Sequence, residues 1–203
     1  MDDTFLKELI ENLAFITKAK YVFIANSRHE AASDVIETIT LWSNGKFVEN
    51  IQFALNGTPC EEVLEGNVRF YSERVQALFP EDEELKTMAA ESYLGCPIHS
   101  SSGQSFGYIA ILDTIPLENE QELITIIQAF TSLACAEFER VQTLQVLSES
   151  ETFNRVVLEN SLDAFIAIDP AGKITKWNKQ TNQILTSLLV ILSQTFFPTN
   201  RTN

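Results

Sequence analysis

The chain has 203 residues, 45% of them hydrophobic and 21% charged, which is enough for one ordinary domain plus part of a second and too apolar for a disordered chain. It carries 28 acidic against 14 basic residues, a formal net charge of -14, and the acids sit in short scattered clusters such as Glu81 to Glu84 that read as solvated surface. That balance excludes a basic stripe for nucleic-acid phosphates and disfavours an anionic membrane surface.

The first residues, Met1-Asp2-Asp3-Thr4, lack the basic and apolar blocks of an export signal. Phe5, Leu9, Leu13 and Ile16 recur at steps of three and four, predicting an amphipathic helix over 4–18 capped by Asp3 or Thr4. Tyr21-Val22-Phe23-Ile24-Ala25 reads as a buried strand, followed by a polar loop with His29. Residues 35–42 and 46–55 flank Ser43-Asn44-Gly45, a hairpin signal. A second hairpin joins 92–99 to 105–113 through Ser100-Ser101-Ser102-Gly103-Gln104.

Between the hairpins, 57–90 is the most irregular stretch, with helical pieces at 59–64 and 83–89 around Val68-Arg69-Phe70-Tyr71. Such an excursion on a rigid scaffold is the natural lid of a pocket. From Glu118 to about Asn160 no proline or glycine interrupts a helical stripe of Ile124, Ile127, Phe130, Leu133, Ala134, Phe138, Val141, Leu144 and Leu147. This helix is longer than one domain needs, so its later part calls for a partner helix. Ala164 to Ile168 and Lys173 to Trp177 bracket the turn Asp169-Pro170-Ala171-Gly172 and open a new domain. The stretch from Ile184 to Phe197 is broken by Thr186, Ser187, Ser193 and Gln194 and is shorter than the roughly 20 residues a membrane span needs. The sequons at Asn56 and Asn200 are short enough to arise by chance.

Gly57-Thr58-Pro59-Cys60-Glu61, Val68-Arg69-Phe70-Tyr71, Phe79-Pro80, the run Ala90 to Ile98 and the stretch Gly103 to Leu117 together resemble a GAF domain of bacterial sensor kinases and related regulators. The resemblance covers about 1–147. It implies an α+β fold in which a mostly antiparallel sheet is flanked by helices, with a ligand- or protein-sensing pocket under the lid and homodimerisation through the terminal helices. Glu149 to Asn178 resembles the opening of a PAS domain, with a leading helix at 153–160 and a first hairpin. After Asn178 the PAS pattern decays and 183–203 lacks its remaining helices and strands, so 148–203 reads as linker helix and incomplete PAS-like part, with 188–203 a non-native reading frame or early stop.

The aromatic and sulfur residues best placed to line such a pocket are Trp42, Phe53, Cys60, Phe70, Tyr71, Tyr93 and Cys96, with His99 at a strand end. Cys60, Cys96 and Cys135 are an odd number without a C-x-x-C pair, which argues for a reducing cytoplasm rather than a disulfide framework or zinc knuckle. No cysteine has the adjacent histidine of bilin-binding relatives, and no cyclic-nucleotide signature is found. The residues name no cofactor, no metal set and no catalytic group, and no phosphate loop, kinase or cyclase signature occurs. The reading is a non-catalytic sensory module of a two-component sensor kinase or cyclic-di-nucleotide enzyme, with any output beyond this chain. A cysteine-dependent redox enzyme or sensor, similar to the free methionine sulfoxide reductases of this fold, stands as the alternative, with Cys60 at a helix start as its candidate thiolate.

Overall fold

The computed structural model describes residues 3–27 and 35–196, so His29 and the Asn200 sequon lie outside the described residues. The chain divides into two compact units, Met1–Val141 and Gln142–Asn203. In the first, α1 (Asp3–Thr17), β1 (Tyr21–Ser27), β2 (Val35–Ser43), β3 (Lys46–Val48) and β4 (Gln52–Ala54) precede the excursion. The excursion holds α2 (Pro59–Leu64), β5 (Arg69–Tyr71), α3 (Val75–Leu78) and α4 (Glu83–Thr87). Then come β6 (Ser92–His99), β7 (Ser105–Asp113) and the long α5 (Glu120–Glu159), which crosses the division.

The strands form one antiparallel sheet in the order β3-β2-β1-β7-β6-β5, with β4 also pairing β2. The class is the expected α+β, mostly antiparallel with flanking helices. The long second arm of the first hairpin is split, however. Thr38 N donates to Ile51 O at 3.0 Å, and its hydroxyl accepts from Ile51 N at 2.9 Å while Asn50 Nδ2 donates to Ile39 O. These local bonds replace the ladder over 49–51 and leave two three-residue strands.

Strand alternation divides the core. Val22, Ile24, Leu94, Ile98, Ile109 and Ile111 face a helix layer made by α1 and α5, while Phe23, Tyr93, Tyr108, Ala110 and Leu112 face the excursion. The buried stripe of α1 is Leu6, Leu9, Ile10 and Leu13, so Ile16, expected on it, is exposed together with Phe15. Along α5 the buried side chains are Leu123, Ile127, Thr131, Ala134, Glu137 and Phe138. Leu133, Leu144 and Leu147, which the helical period placed on one stripe, are exposed.

The central strands approach closely because Gly107, at φ +119°, has no side chain: a Cβ there would run into the carbonyl oxygen of Ala25 on β1. Gly103, at φ +86°, turns the β6–β7 connection with nothing near a Cβ.

In the second unit β8 (Ile166–Ile168) and β9 (Ile174–Trp177) form an antiparallel hairpin, followed by α6 (Lys179–Phe196). The turn is held by Asp169 Oδ1, which accepts from Ala171 N and Lys173 N at 2.9 Å. A helix over 179–196 departs from the expectation that the tail lacks one. Lys179 to Phe196 contains no proline or glycine and is rich in leucine and glutamine, so nothing local stops a helix. The hub of this unit is Asn178, buried to 2% exposure. Its Nδ2 donates to Leu158 O and Asp163 O, each at 2.9 Å, and its Oδ1 accepts from Phe165 N at 3.0 Å and Thr181 N at 3.1 Å.

Two outcomes follow for stability. Gly107→Ala is expected to lower the stability of the first unit by about 3 kcal/mol or more, and Gly103→Ala by about 1 kcal/mol, because the first adds a backbone clash to left-handed strain and the second adds strain alone. Chemical denaturation followed by tryptophan fluorescence compares them. Asn178→Ala is expected to collapse the β8–β9 signals in a proton–nitrogen NMR spectrum while β1, β6 and β7 signals stay in place, since four backbone groups lose their partner.

Candidate functional site

The excursion lies over one face of the sheet, and three short helices supply its inner surface. Gly57 turns the chain at φ +74°, the Thr58 hydroxyl donates to Leu55 O at 2.6 Å, and Pro59 opens α2, where its missing N–H costs nothing. This aims Cys60 and Val63 at the sheet, both buried. Before α4, Asp82 caps the helix: its Oδ1 accepts from Glu84 N at 2.9 Å and Leu85 N at 3.0 Å. Asp82 is 7% exposed, so this member of the acidic 81–84 run is buried rather than solvated. Its capping role, though not its burial, was legible in the sequence as an aspartate directly before a Glu-Glu-Leu helix start.

From the sheet, Tyr93 lies flat over Gly95, where a Cβ would collide with the Tyr93 hydroxyl and with Val63. That position carries the Tyr93 hydroxyl to Cys60, to whose Sγ it donates at 3.5 Å. Tyr108 faces the same group, and its hydroxyl neighbours the Cys60 thiol without hydrogen-bond geometry, leaving it buried and unpartnered among the described residues. Phe23 packs edge-on to Tyr108 at 5.9 Å and to Phe53 at 6.3 Å, and Tyr71 stands edge-on to Phe79 at 5.3 Å.

The cavity left between lid and sheet is only about 20 Å³. Its walls include Phe23, Phe53, Cys60, Asp82, Met88 and Tyr93. A single water needs roughly 10–15 Å³ and small-molecule pockets run to about 300 Å³ or more, so a ligand enters only if the walls move. A larger hollow of about 620 Å³ in the second unit, beside Arg155 and Trp177, is an open groove lined mostly by exposed side chains, with no orphaned buried side-chain group among the described residues.

Of the residues singled out in the sequence, Phe53, Cys60 and Tyr93 line the cavity, and Tyr71 adjoins it through Tyr93 at 6.2 Å. Trp42, Phe70 and Cys96 lie on the opposite face, in the helix layer. There Trp42 packs edge-on to Phe47 at 5.0 Å and Cys96 Sγ sits 3.6 Å from Thr131 Oγ1. The His99 imidazole lies against Gly66 just past the end of α2, outside the cavity lining, while its carbonyl accepts from Cys135 Sγ at 3.3 Å. Phe23, Asp82 and Tyr108 were not singled out. Period-two alternation along Ser105 to Asp113 would have put Tyr108 on the lid face had the register against β6 been known, where Tyr108 opposes Pro97.

The electrostatics bear on the cysteine chemistry. Burial pushes the Cys60 thiol from its ordinary 9.0 up to about 11, and the nearby Asp82 charge adds to the rise against the partial relief of the tyrosine hydroxyls. Burial likewise raises Tyr93, Tyr108 and Asp82. Cys60 and Cys96 stand on opposite faces of one sheet and do not form a thiol pair. Among the described residues no His, Cys, Asp and Glu group is arranged to hold a metal ion.

Cys60 is expected to resist a thiol reagent at about pH 8 in the folded protein and to react once the chain unfolds, whereas Cys135, half-buried, reacts in the folded state. Mass-resolved labelling reads both sites. Because the folded thiol holds its proton to a higher pH than the unfolded one, this contribution to stability is complete below pH 9.0 and is lost as pH rises toward about 11. Cys60→Ser is expected to flatten the stability profile over that window.

No protein-family model matches the chain, and no curated protein is similar to it in sequence. Solved structures are similar in fold. The GAF domain of a two-component sensor histidine kinase from Bacillus halodurans superposes with a TM-score of 0.53 at 16% identity, covering 69% of this chain and 97% of that one. The GAF-B domain of DevS from Mycobacterium smegmatis gives 0.53 at 13% identity, covering 71% and 97%. The chromophore-binding domain of the bacteriophytochrome RpBphP3 from R. palustris gives 0.54 at 11% identity, with 70% of this chain matched to 57% of that one. The antiparallel sheet, its helix layer and its lid thus have the fold of GAF domains.

Proposed function

We propose that this chain is a non-catalytic sensory and regulatory module of a cytoplasmic signalling protein, in which a small molecule under the 57–90 lid alters the helices that cover the other side of the sheet. The observation that carries the reading is the polar cluster in the lid core. Asp82, Cys60, Tyr93 and the unpartnered Tyr108 hydroxyl are buried where packing alone would favour hydrocarbon. Stability does not call for such a cluster, but a ligand can use it.

The route outward runs through the sheet to α5, whose Ile127, Ala134 and Phe138 are core residues on the far face. The same helix continues to Glu159. We read the second unit as the opening of a PAS-like domain and the domain boundary as near 147/148, with α5 as the linker. The exposed apolar residues of α1 and α5, among them Phe15, Leu133, Leu144 and Leu147, favour a homodimer through these helices. A ligand that binds two helix packings unequally would shift the balance between them. No helix among the described residues is long and apolar enough to cross a membrane.

The raised Cys60 thiol and the separation of Cys60 from Cys96 weigh against the redox alternative. Native mass spectrometry of the purified chain is expected to give a dimer, and Leu144→Cys is expected to cross-link across it under mild oxidation. A strict monomer at about 100 μM, where even weak helix pairs associate, would overturn the dimeric reading.

A further inference from the structure

On the α1 side of the sheet a groove of about 550 Å³ opens between Lys7 of α1, Ile39 and Thr40 of β2, and residues 46–50. That volume lies within the range of small-molecule sites. Two local features make the groove. The pairing of β1 with β2 slips by one residue, Ile24 opposing Thr40 and Ala25 opposing Thr38, so Ile39 is the extra residue of a bulge. Thr40 thereby stands opposite a member of the helix-layer core. The ladder between β2 and β3 ends at Leu41 opposite Val48, which leaves Thr40 without a paired residue on that side.

Thr40 is 2% exposed, and its hydroxyl has no hydrogen-bond partner among the described residues. Thr38 is as deeply buried, yet its hydroxyl is bonded to Asn50 Oδ1 and to Ile51 N. An unmade bond at a buried hydroxyl destabilises a fold, so its presence in the wall of a groove calls for another use. The charge of the groove is also unlike that of the chain. Against 28 acidic and 14 basic residues overall, Lys7 and Lys46 line it with the single carboxylate of Glu49. Lys46 is exposed and has no ion pair among the described residues, whereas Arg69, Lys86 and Arg140 are each turned to a glutamate. Ile39 and Phe47, packed against the helix-layer core, and Val48 supply apolar surface.

We propose that this groove binds a small organic anion: Lys7 and Lys46 take its carboxylate or phosphate head, the Thr40 hydroxyl donates to it, and Ile39, Phe47 and Val48 hold an apolar body. The site is separate from the lid cavity and does not rest on the reading of the lid. Repulsion from the net charge of -14 is screened beyond about 8 Å at physiological salt, so a seated head group responds chiefly to the charges beside it. The hydroxyl is covered at rest, and the long side chains of Lys7 and Lys46 are the lining groups able to shift for a ligand.

The test titrates benzoate, phenyl phosphate, benzyl alcohol and benzylamine to about 10 mM at neutral pH into the full chain, with amide NMR shifts as the readout. At least one anion is expected to shift the amides of residues 39–41 and 46–50 and to bind about tenfold more tightly than the alcohol, with the amine weaker still. The tighter anion identifies the head group, and shifts over 82–88 would report the lid separately. Thr40→Val is expected to leave thermal stability unchanged or raised, because the hydroxyl it removes has no partner, and to weaken the anion about threefold or more. Lys46→Gln, at an exposed position, is expected to weaken it by a similar factor and leave the alcohol unaffected. Loss of stability in Thr40→Val would mean that the hydroxyl is already bonded and would overturn its role as a ligand donor. Amine or alcohol binding as tightly as the anions, anion affinity untouched by both substitutions, or no shift in residues 39–50 from any probe would overturn the site.

Discussion

The central strands β1, β7 and β6 are covered on both faces, and most of the molecule follows from that. A strand turns alternate side chains to opposite sides, so two neighbouring residues in such a sheet belong to two separate cores. Tyr93 enters the lid core and Leu94 the helix layer; Tyr108 and Ile109 divide in the same way. The backbones can approach only because Gly107 presents no side chain to Ala25, and Tyr93 can lie flat only because Gly95 presents none to it. The two glycines therefore do different things: one closes the sheet, and the other shapes what lies on it.

The two cores have opposite chemical character. The helix layer is mainly aliphatic at its centre, built of Leu6, Ile10, Leu13, Ile24, Ile109 and Ile127, with Thr131 and Glu137 of α5 buried at its edge, and its packing favours a fixed, dense arrangement. The lid core holds three buried tyrosines, a thiol and a carboxylate, under helices of four to six residues. Buried polar groups cost free energy unless they are satisfied, and one tyrosine hydroxyl is not. Rigid aliphatic packing on one side and a thin, polar cover on the other put the least stable part of the domain over the groups best able to recognise a ligand.

Much of the architecture was legible in the sequence because it rests on local chemistry. Asn44-Gly45 marks the first hairpin, Pro59 opens α2 at the residue expected, and the absence of proline and glycine carries α5 through 40 residues. What escaped depends on partners far along the chain. The sidedness of Trp42, Phe70 and Cys96 follows from the pairing register, which no single strand records. Asp82 looked like one more surface acid because its burial is set by the sheet beneath it. The break between β3 and β4 hinges on Thr38 and Asn50, twelve residues apart and unremarkable alone.

Whether the lid is a cover that opens or a second solid core is the claim on which the sensory reading turns, and native-state hydrogen exchange tests it without any ligand. The amides of Glu65, Gly66, Met88 and Ala90 are bonded within the lid, and those of Phe23, Ile109 and Ile111 lie in the central strands. Lid amides exchanging about a hundredfold or more faster than the strand amides, with a weak dependence on denaturant, would mean that the lid opens while the sheet stays folded. Lid amides as protected as those of β1 and β7, released only by global unfolding, would contradict it.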